Sequence, residues 1–300
     1  MRRVFYFISV IYVFSASTHA GGKVGMAFLK IGVDSRAAAM GEAYTSIAHD
    51  AAATYWNPAG LANASSHSVV LMHNSWLQDI NHEFGAVQLF HGKHNIALAV
   101  DMIRVSDIQL RDEVASETPD GETGATNVFL GVTYATTITE DWKIGAQIKY
   151  LYEKYYLESA NGWAIDLGLL KSNILPNLNL GLTIQNVGKM SPLRSEATNL
   201  PLIFRSGISY HLPWEILKHR LLLAADYVFV LDDVSHLNLG TDIGILDNIN
   251  IRIGYVLGRE SYNITTGFSL RYNKYNFAYA FVPYQYNLGN THRFSLIIDF

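Results

Sequence analysis

Histidines and carboxylates are the side chains of this sequence whose types and spacing could support chemistry. His67, His73, His82, His91 and His94 lie close together, and imidazole is a common ligand for zinc and related ions. A metal centre needs ligands at a tight, fixed spacing. These histidines are spread over two expected strands and a turn, on mixed faces, so they read as rim and turn residues and no metal site is expected. Asp232-Asp233 with His236 places two carboxylates and a base together at the end of another expected strand. Without a Ser-His pair or a glycine elbow, such a cluster has no activated nucleophile. It reads as a solvated turn. No cofactor is implied, and the chain is expected not to be an enzyme.

The elements that position these residues are strands. From Ser68 onward, segments of about ten residues alternate apolar and polar positions. Trp142, Ile144, Ala146, Ile148 and Tyr150 alternate with Lys143, Gly145, Gln147 and Lys149. Tyr275, Phe277, Tyr279 and Phe281 alternate with Asn276, Ala278 and Ala280 in the same way. Aromatics (Trp142, Tyr150, Trp163, Tyr210, Tyr255, Tyr262, Tyr272, Tyr275) fall near strand ends, as an interfacial girdle requires. The polar face carries Lys143, Lys149, Asp166, Arg205, Asp226, Asp242, Arg252 and Arg271. They are expected to pair inside a lumen and hold an internal segment, or else to form a selectivity ring in an open pore. The pattern predicts an all-β transmembrane barrel of about fourteen antiparallel strands over 67–300.

The connections fit that count. His91 to His94, Thr137 to Asp141, Asp247-Asn248 and Asn273-Lys274 read as short turns, with Pro176-Asn177 and Pro213 to Lys218 also compact. Arg104 to Thr126, Glu153 to Asn161, Gly188 to Leu200 and Pro283 to Asn290 read as longer loops on the other side. Short turns on the periplasmic side and long loops outside is the asymmetry of bacterial outer-membrane barrels.

The termini agree. Phe294, Leu296, Ile298 and Phe300 share one face of the last strand. That strand must pair with the first to close the sheet, and its terminal aromatic reads as a signal for the barrel assembly machinery. Met1-Arg2-Arg3 and the apolar run Val4 to Phe14 have the layout of a signal peptide over 1–20, with cleavage after Ala20. Losing Arg2 and Arg3 takes the formal charge from -4 to -6 (-4 minus 2), which argues against nucleic acid as a partner. No cysteine is present, so disulfides, thiolate metal sites and a cysteine lipid anchor are excluded. Apolar residues reach 49%, yet after the leader no stretch approaches the ~20 residues of a membrane helix.

Between residues 21 and 66 the periodicity changes. Asp34-Ser35 can cap a helix starting at Arg36, and the small residues that follow predict that it runs to about His49. Pro58 forces Asn57 out of the helical region and opens a new turn, near whose end Gly60 can supply a positive φ. A barrel this wide encloses more space than its wall side chains fill, so this compact segment is expected to be a plug, with inward Gly131, Gly145, Gly181, Gly240, Gly254 and Gly267 making room for it, the alternative being a periplasmic helical cap outside the lumen.

Three runs here resemble the N-terminal signature of the PorV/PorQ family, within the FadL-like group of outer-membrane barrels: Arg36-Ala37-Ala38-Ala39-Met40-Gly41-Glu42-Ala43-Tyr44, Ala48-His49-Asp50-Ala51, and Tyr55-Trp56-Asn57-Pro58-Ala59-Gly60-Leu61. Glu42 stands where that family usually has Gly, and His49 where it usually has an acid. The resemblance implies fourteen strands, a luminal N-terminal segment, a bacterial outer-membrane location and contact with outer-membrane lipid. For function it implies a type IX secretion accessory that binds or shuttles cargo proteins, the alternative being a FadL-like channel for hydrophobic small molecules.

Overall fold

The computed structural model describes residues 25–111, 117–194, 196–197, 199–213 and 220–300. The expected signal peptide lies outside the described residues, as does most of the Pro213 to Lys218 turn. Fourteen strands close an antiparallel barrel: β1 (Ser68–Ser75), β2 (Asn81–Leu89), β3 (His94–Leu110), β4 (Gly121–Thr137), β5 (Trp142–Tyr155), β6 (Glu158–Leu175), β7 (Leu178–Met190), β10 (Ile203–His211), β11 (Arg220–Val230), β12 (His236–Leu246), β13 (Ile249–Leu257), β14 (Ile264–Tyr272), β15 (Tyr275–Pro283) and β16 (Asn290–Asp299). A two-stranded ribbon, β8 (Pro192–Leu193) with β9 (Glu196–Ala197), sits in the connection before β10.

The wall is inside out relative to a water-soluble protein. Outward positions such as Leu98, Val132, Ile148, Leu167, Ile253, Phe268 and Phe277 are exposed, while inward Gln88, Gln147, Asp166 and Arg205 are buried. A contiguous apolar belt of that extent is stable in hydrocarbon and not in water. Trp142, Tyr150, Trp163, Tyr255, Tyr272 and Tyr275 are exposed at its margins, as expected. Tyr262 is a correction: it is only 4% exposed and turns inward over the mouth, because Arg259 donates to its hydroxyl.

Closure is made by β16 against β1, in register from Ser68↔Asp299 to Ser75↔His292. The pairing continues past the strands. Phe300 N donates to His67 O at 3.0 Å, His67 N donates back to Phe300 O at 3.2 Å, and the two rings stack at 5.6 Å. Phe300→Ala is expected to lower heat-modifiable barrel in the outer membrane several-fold in a pulse-chase, because the closing seam loses its terminal ring. Unchanged kinetics would show that the seam assembles without it.

The predicted long loops Glu153 to Asn161 and Arg104 to Thr126 are largely strand. β5 and β6 stay paired to Tyr155↔Glu158, with only a two-residue turn between them. β3 and β4 pair out to Leu110↔Gly121 past an irregularity between Val105 and Ile108. Among the described residues, cross-strand pairing resumes beyond that irregularity and continues above the belt. The wall is therefore taller over β3–β6 than over β13–β15.

Residues 26–64 run through the lumen from the mouth with the long connections to the end with the short turns. Gly25 N donates to Asn199 O in the connection before β10, whereas Asn63 is bound by Lys143 at the start of β5. The helix expected to reach His49 stops after one turn. α1 spans Ser35–Ala39, capped by the Asp34 side chain accepting from Arg36 N at 3.1 Å. Gly41 at φ 63 and Glu42 at φ 67 then reverse the chain into the left-handed region. α2 (Ala53–Trp56) is followed at Asn57 (φ -161) by a 3₁₀ helix, Pro58–Asn63, as Pro58 predicted. Gly60 has no positive φ; it is small because a Cβ there would lie 2.5 Å from Ala48 O.

Candidate functional site

The luminal segment is tied together by one buried cation. Arg36 reaches Asp34 at 2.6 Å and Asp50 at 2.7 and 3.2 Å, with all three side chains nearly inaccessible. Burial alone would raise the Asp50 carboxyl; the Arg36 guanidinium outweighs it and holds Asp50 below its ordinary value. The same carboxylate caps α2 by accepting from Ala52 N at 2.9 Å. Trp56 Nε1 donates to Val33 O and Tyr55 OH to Leu29 O, so the aromatic pair of the signature locks the first residues of the segment to the last. Met40 and Leu61 are fully buried in the same core.

The wall grips this segment mainly through its backbone. Asp226 accepts from Tyr44 N and Thr45 N at 2.9 and 2.8 Å. Thr265 Oγ1 accepts from Gly41 N and donates to Ala39 O. Ser295 accepts from Ser35 N, Arg293 donates to Gly32 O, and Gln88 donates to Leu61 O. The luminal charges expected to hold the plug by ion pairs therefore act differently. Lys149–Asp166 and Arg252–Asp242 pair within the wall at 2.8 and 2.6 Å. Arg205 donates to Gln185 and lies 5.1 Å above the Trp56 ring. Lys143 holds Asn63, and the Arg271 side chain faces water at the short-turn end.

Most of the expected glycines make the room predicted for them. A Cβ on Gly145 would meet Pro58, on Gly181 Thr45, on Gly240 Met40, on Gly254 Gly41 and on Gly267 Ala39, all below 3 Å. Gly131 faces Gln147 instead, while Gly168, not anticipated, would strike Asn57. A bulge in β7 does the rest. Gln185 and Asn186 both point inward where the register with β6 shifts between Ile165 and Leu167. That irregularity puts Gln185 on Tyr55 O and lets Asn186 N donate to Asp166 at 2.7 Å.

The mouth with the long connections keeps a cavity of about 950 Å³. Its floor is the segment's own Ala27, Phe28 and Ile31, and its walls include Ile103, Val105, Ile203, Val228, Val230 and Tyr284. Two ion contacts join floor and rim: Lys30–Asp233 at 2.6 Å and Glu42–Arg259 at 3.5 Å. Partial burial would raise the Asp233 carboxyl, but the hydrogen bond from Lys30 keeps it below its ordinary value. Asp233 is thus a latch to the plug and not a free turn residue. Its neighbour His236 is buried in the wall beside Arg259 at 3.1 Å.

Glu42 escaped sequence reasoning as a site residue. It is 3% exposed, its backbone is left-handed, and its Oε2 accepts no hydrogen bond, so a glycine would sit there with less strain. Its appearance at a position where Gly is usual was the available signal. Glu42→Ala and Glu42→Gly both lose the contact with Arg259, but only Gly relieves the backbone. The glycine variant is expected to be the more stable of the two by about 1 kcal/mol, read as the difference in urea midpoint; equal midpoints would show that the φ is unstrained.

His82, expected at a rim, is fully buried inside the lumen at 2.6 Å from Asp101. Among the described residues no three His, Asp or Glu side chains gather as metal ligands, and no helix is long and apolar enough to cross a membrane. Phe294 and Phe300 of the expected assembly signal are exposed on the outer face of the closing seam.

Residues 17–174, just over half of the chain, match the profile of the family described as "Type IX secretion system protein PorV". No curated protein matches in sequence. Among solved structures, the Ralstonia pickettii toluene transporter TbuX superposes with a TM-score of 0.61 at 13% identity, covering 89% of this chain and 97% of that one. The CymD monoaromatic hydrocarbon channel gives 0.61 at 13% identity, with 90% and 98% covered. A Pseudomonas aeruginosa FadL homologue gives 0.56 at 10% identity, with 89% and 98% covered. At such identities these likenesses establish the fold alone.

Proposed function

The chain belongs to the PorV family of type IX secretion system proteins, and from that premise we propose that it is a non-enzymatic outer-membrane component that binds secreted cargo at its outer mouth. The observation that carries this reading is the combination of a filled lumen with an apolar cavity left open at one end. The plug contacts the wall on opposite sides, at β4–β6 and at β13–β16, which does not suit free diffusion of water-soluble solutes. The cavity above it offers Ile31, Trp76, Val105 and Val234 as an apolar contact patch. With Asp233 and Arg259 at its margin, it is suited to a partly apolar polypeptide segment.

A second reading rests on the same apolar lining. A cavity of about 950 Å³ would also accommodate a hydrophobic small molecule awaiting passage through a displaced plug. Detergent extraction from the native outer membrane, followed by affinity capture and mass spectrometry of both protein and lipid, distinguishes the two. Cargo proteins sharing a C-terminal domain are the expected co-purifying species. Apolar small molecules without such proteins would favour transport. Val105→Asp, which charges the half-buried cavity wall, is expected to lower cargo recovery at least tenfold; full recovery would move the binding surface off the cavity.

A further inference from the structure

The opposite end of the lumen opens on a second cavity, a polar basin of about 770 Å³ between the plug and the inner faces of β6, β7 and β10–β15. Arg252 is 6% exposed there; its Nε donates to Asp242 at 2.6 Å and its Nη1 to Ser269 at 2.9 Å, leaving Nη2. The guanidinium of Arg271 lines the basin without a side-chain partner among the described residues. From the plug, Ser46 is 4% exposed with an unpartnered hydroxyl, a group able to donate to an anion. It lines the same basin.

Unpartnered buried polar atoms are costly, and guanidinium donors in a fixed fork match planar or tetrahedral oxyanions. The acids in the basin do not neutralise this set. Asp242 is taken by Arg252 and Asn250, and Asp247 sits exposed on the turn beside Arg220 at 3.7 Å. We infer that the basin is an oxyanion-binding site, receiving a phosphate or carboxylate through Arg271, the open edge of Arg252 and the Ser46 hydroxyl. A ligand held there touches plug and wall together and fastens one to the other. The site stands apart from the outer cavity and does not depend on the function proposed for it.

The test uses the full-length protein in detergent, following its unfolding midpoint at matched ionic strength in chloride, inorganic phosphate, or chloride plus a hexaglutamate peptide. A saturable rise with phosphate or peptide over chloride is expected, at least fivefold weaker in apparent affinity in Arg271→Gln. Ser46→Ala should weaken it in the same sense, and Arg194→Gln, paired with Glu158 far from the basin, should not. Tighter binding of phosphate identifies a free anion as the ligand, and tighter binding of the peptide an acidic segment of a partner. The absence of a saturable shift with either, or an equal shift in folded Arg271→Gln and Ser46→Ala, overturns the assignment.

Discussion

Removing residues 21–66 is expected to leave a barrel that still closes and migrates as a heat-modifiable species, but that conducts where the intact protein does not. Closure depends on strand pairing that the plug does not supply: β1 meets β16 along its whole length, and every other wall strand is paired on both sides. The wall groups that grip the plug, among them Asp226, Thr265, Ser295 and Gln88, would pass into water and not into an empty apolar space. Their loss of partners is therefore cheap. What remains is an inner surface lowered by Gly145, Gly168, Gly181, Gly240, Gly254 and Gly267, where fourteen strands leave room for an aqueous channel. Planar-bilayer recordings should show discrete open steps for the truncated protein and none for the intact one. Conductance no higher than that of the intact protein would mean that the strands alone seal the lumen.

Arg36→Met is expected to destabilise the plug by about 3–5 kcal/mol, the typical cost of stripping the partner from buried charges. The substitution nearly preserves side-chain volume, yet strips the guanidinium from Asp34 and Asp50, at 0% and 7% exposure, and leaves Asp50 only the His49 ring at 3.5 Å. Because the barrel wall does not depend on this network, the loss should appear as local opening: faster proteolysis within residues 35–64 and intermittent conductance, with the heat-modifiable band retained. Adding Asp34→Asn and Asp50→Asn should recover part of the loss, since the uncompensated charges then disappear. Failure of the neutralised triple variant to improve on Arg36→Met would assign Arg36 a packing role only. The pH dependence has a definite sign. Asp50 is held below its ordinary 3.8, so the folded plug binds this proton less readily than the unfolded chain. Its contribution is fully present above about pH 4 and is lost as the pH falls through the lower, folded value.

Several elements were legible in the residues alone because their cause is local. Period-two alternation with apolar residues outward specifies a membrane strand, and it located β5, β7 and β12–β16. It also gave a closing strand with Phe294 and Phe300 on its outer face. Asp34 as a cap, and Asn57-Pro58 as a break that restarts the chain, follow from side-chain and backbone geometry within three residues. The extent of α1 was not legible in this way, because a run of alanines propagates a helix only until tertiary contacts divert it. Here the diversion is the left-handed pair Gly41 and Glu42, with Gly41 lying against the backbone of β12 and β13.

What the sequence by itself determined is the barrel, its approximate strand number, its apolar outer belt and the presence of a compact segment ahead of it. The tertiary structure alone decided how that segment is held. Its anchors join residues as far apart as Gly32 and Arg293, separated by 261 positions. An inward Asp, Arg or Gln looks the same in the sequence whether its partner is water, a neighbouring strand or the backbone of the plug. Asp226 and Gln88 turned out to bind plug backbone, Lys149 a wall carboxylate, and Arg271 the open basin. The outer cavity and the basin likewise exist only because the plug fills the middle of the lumen and leaves both ends, a consequence of packed volume that no local pattern records.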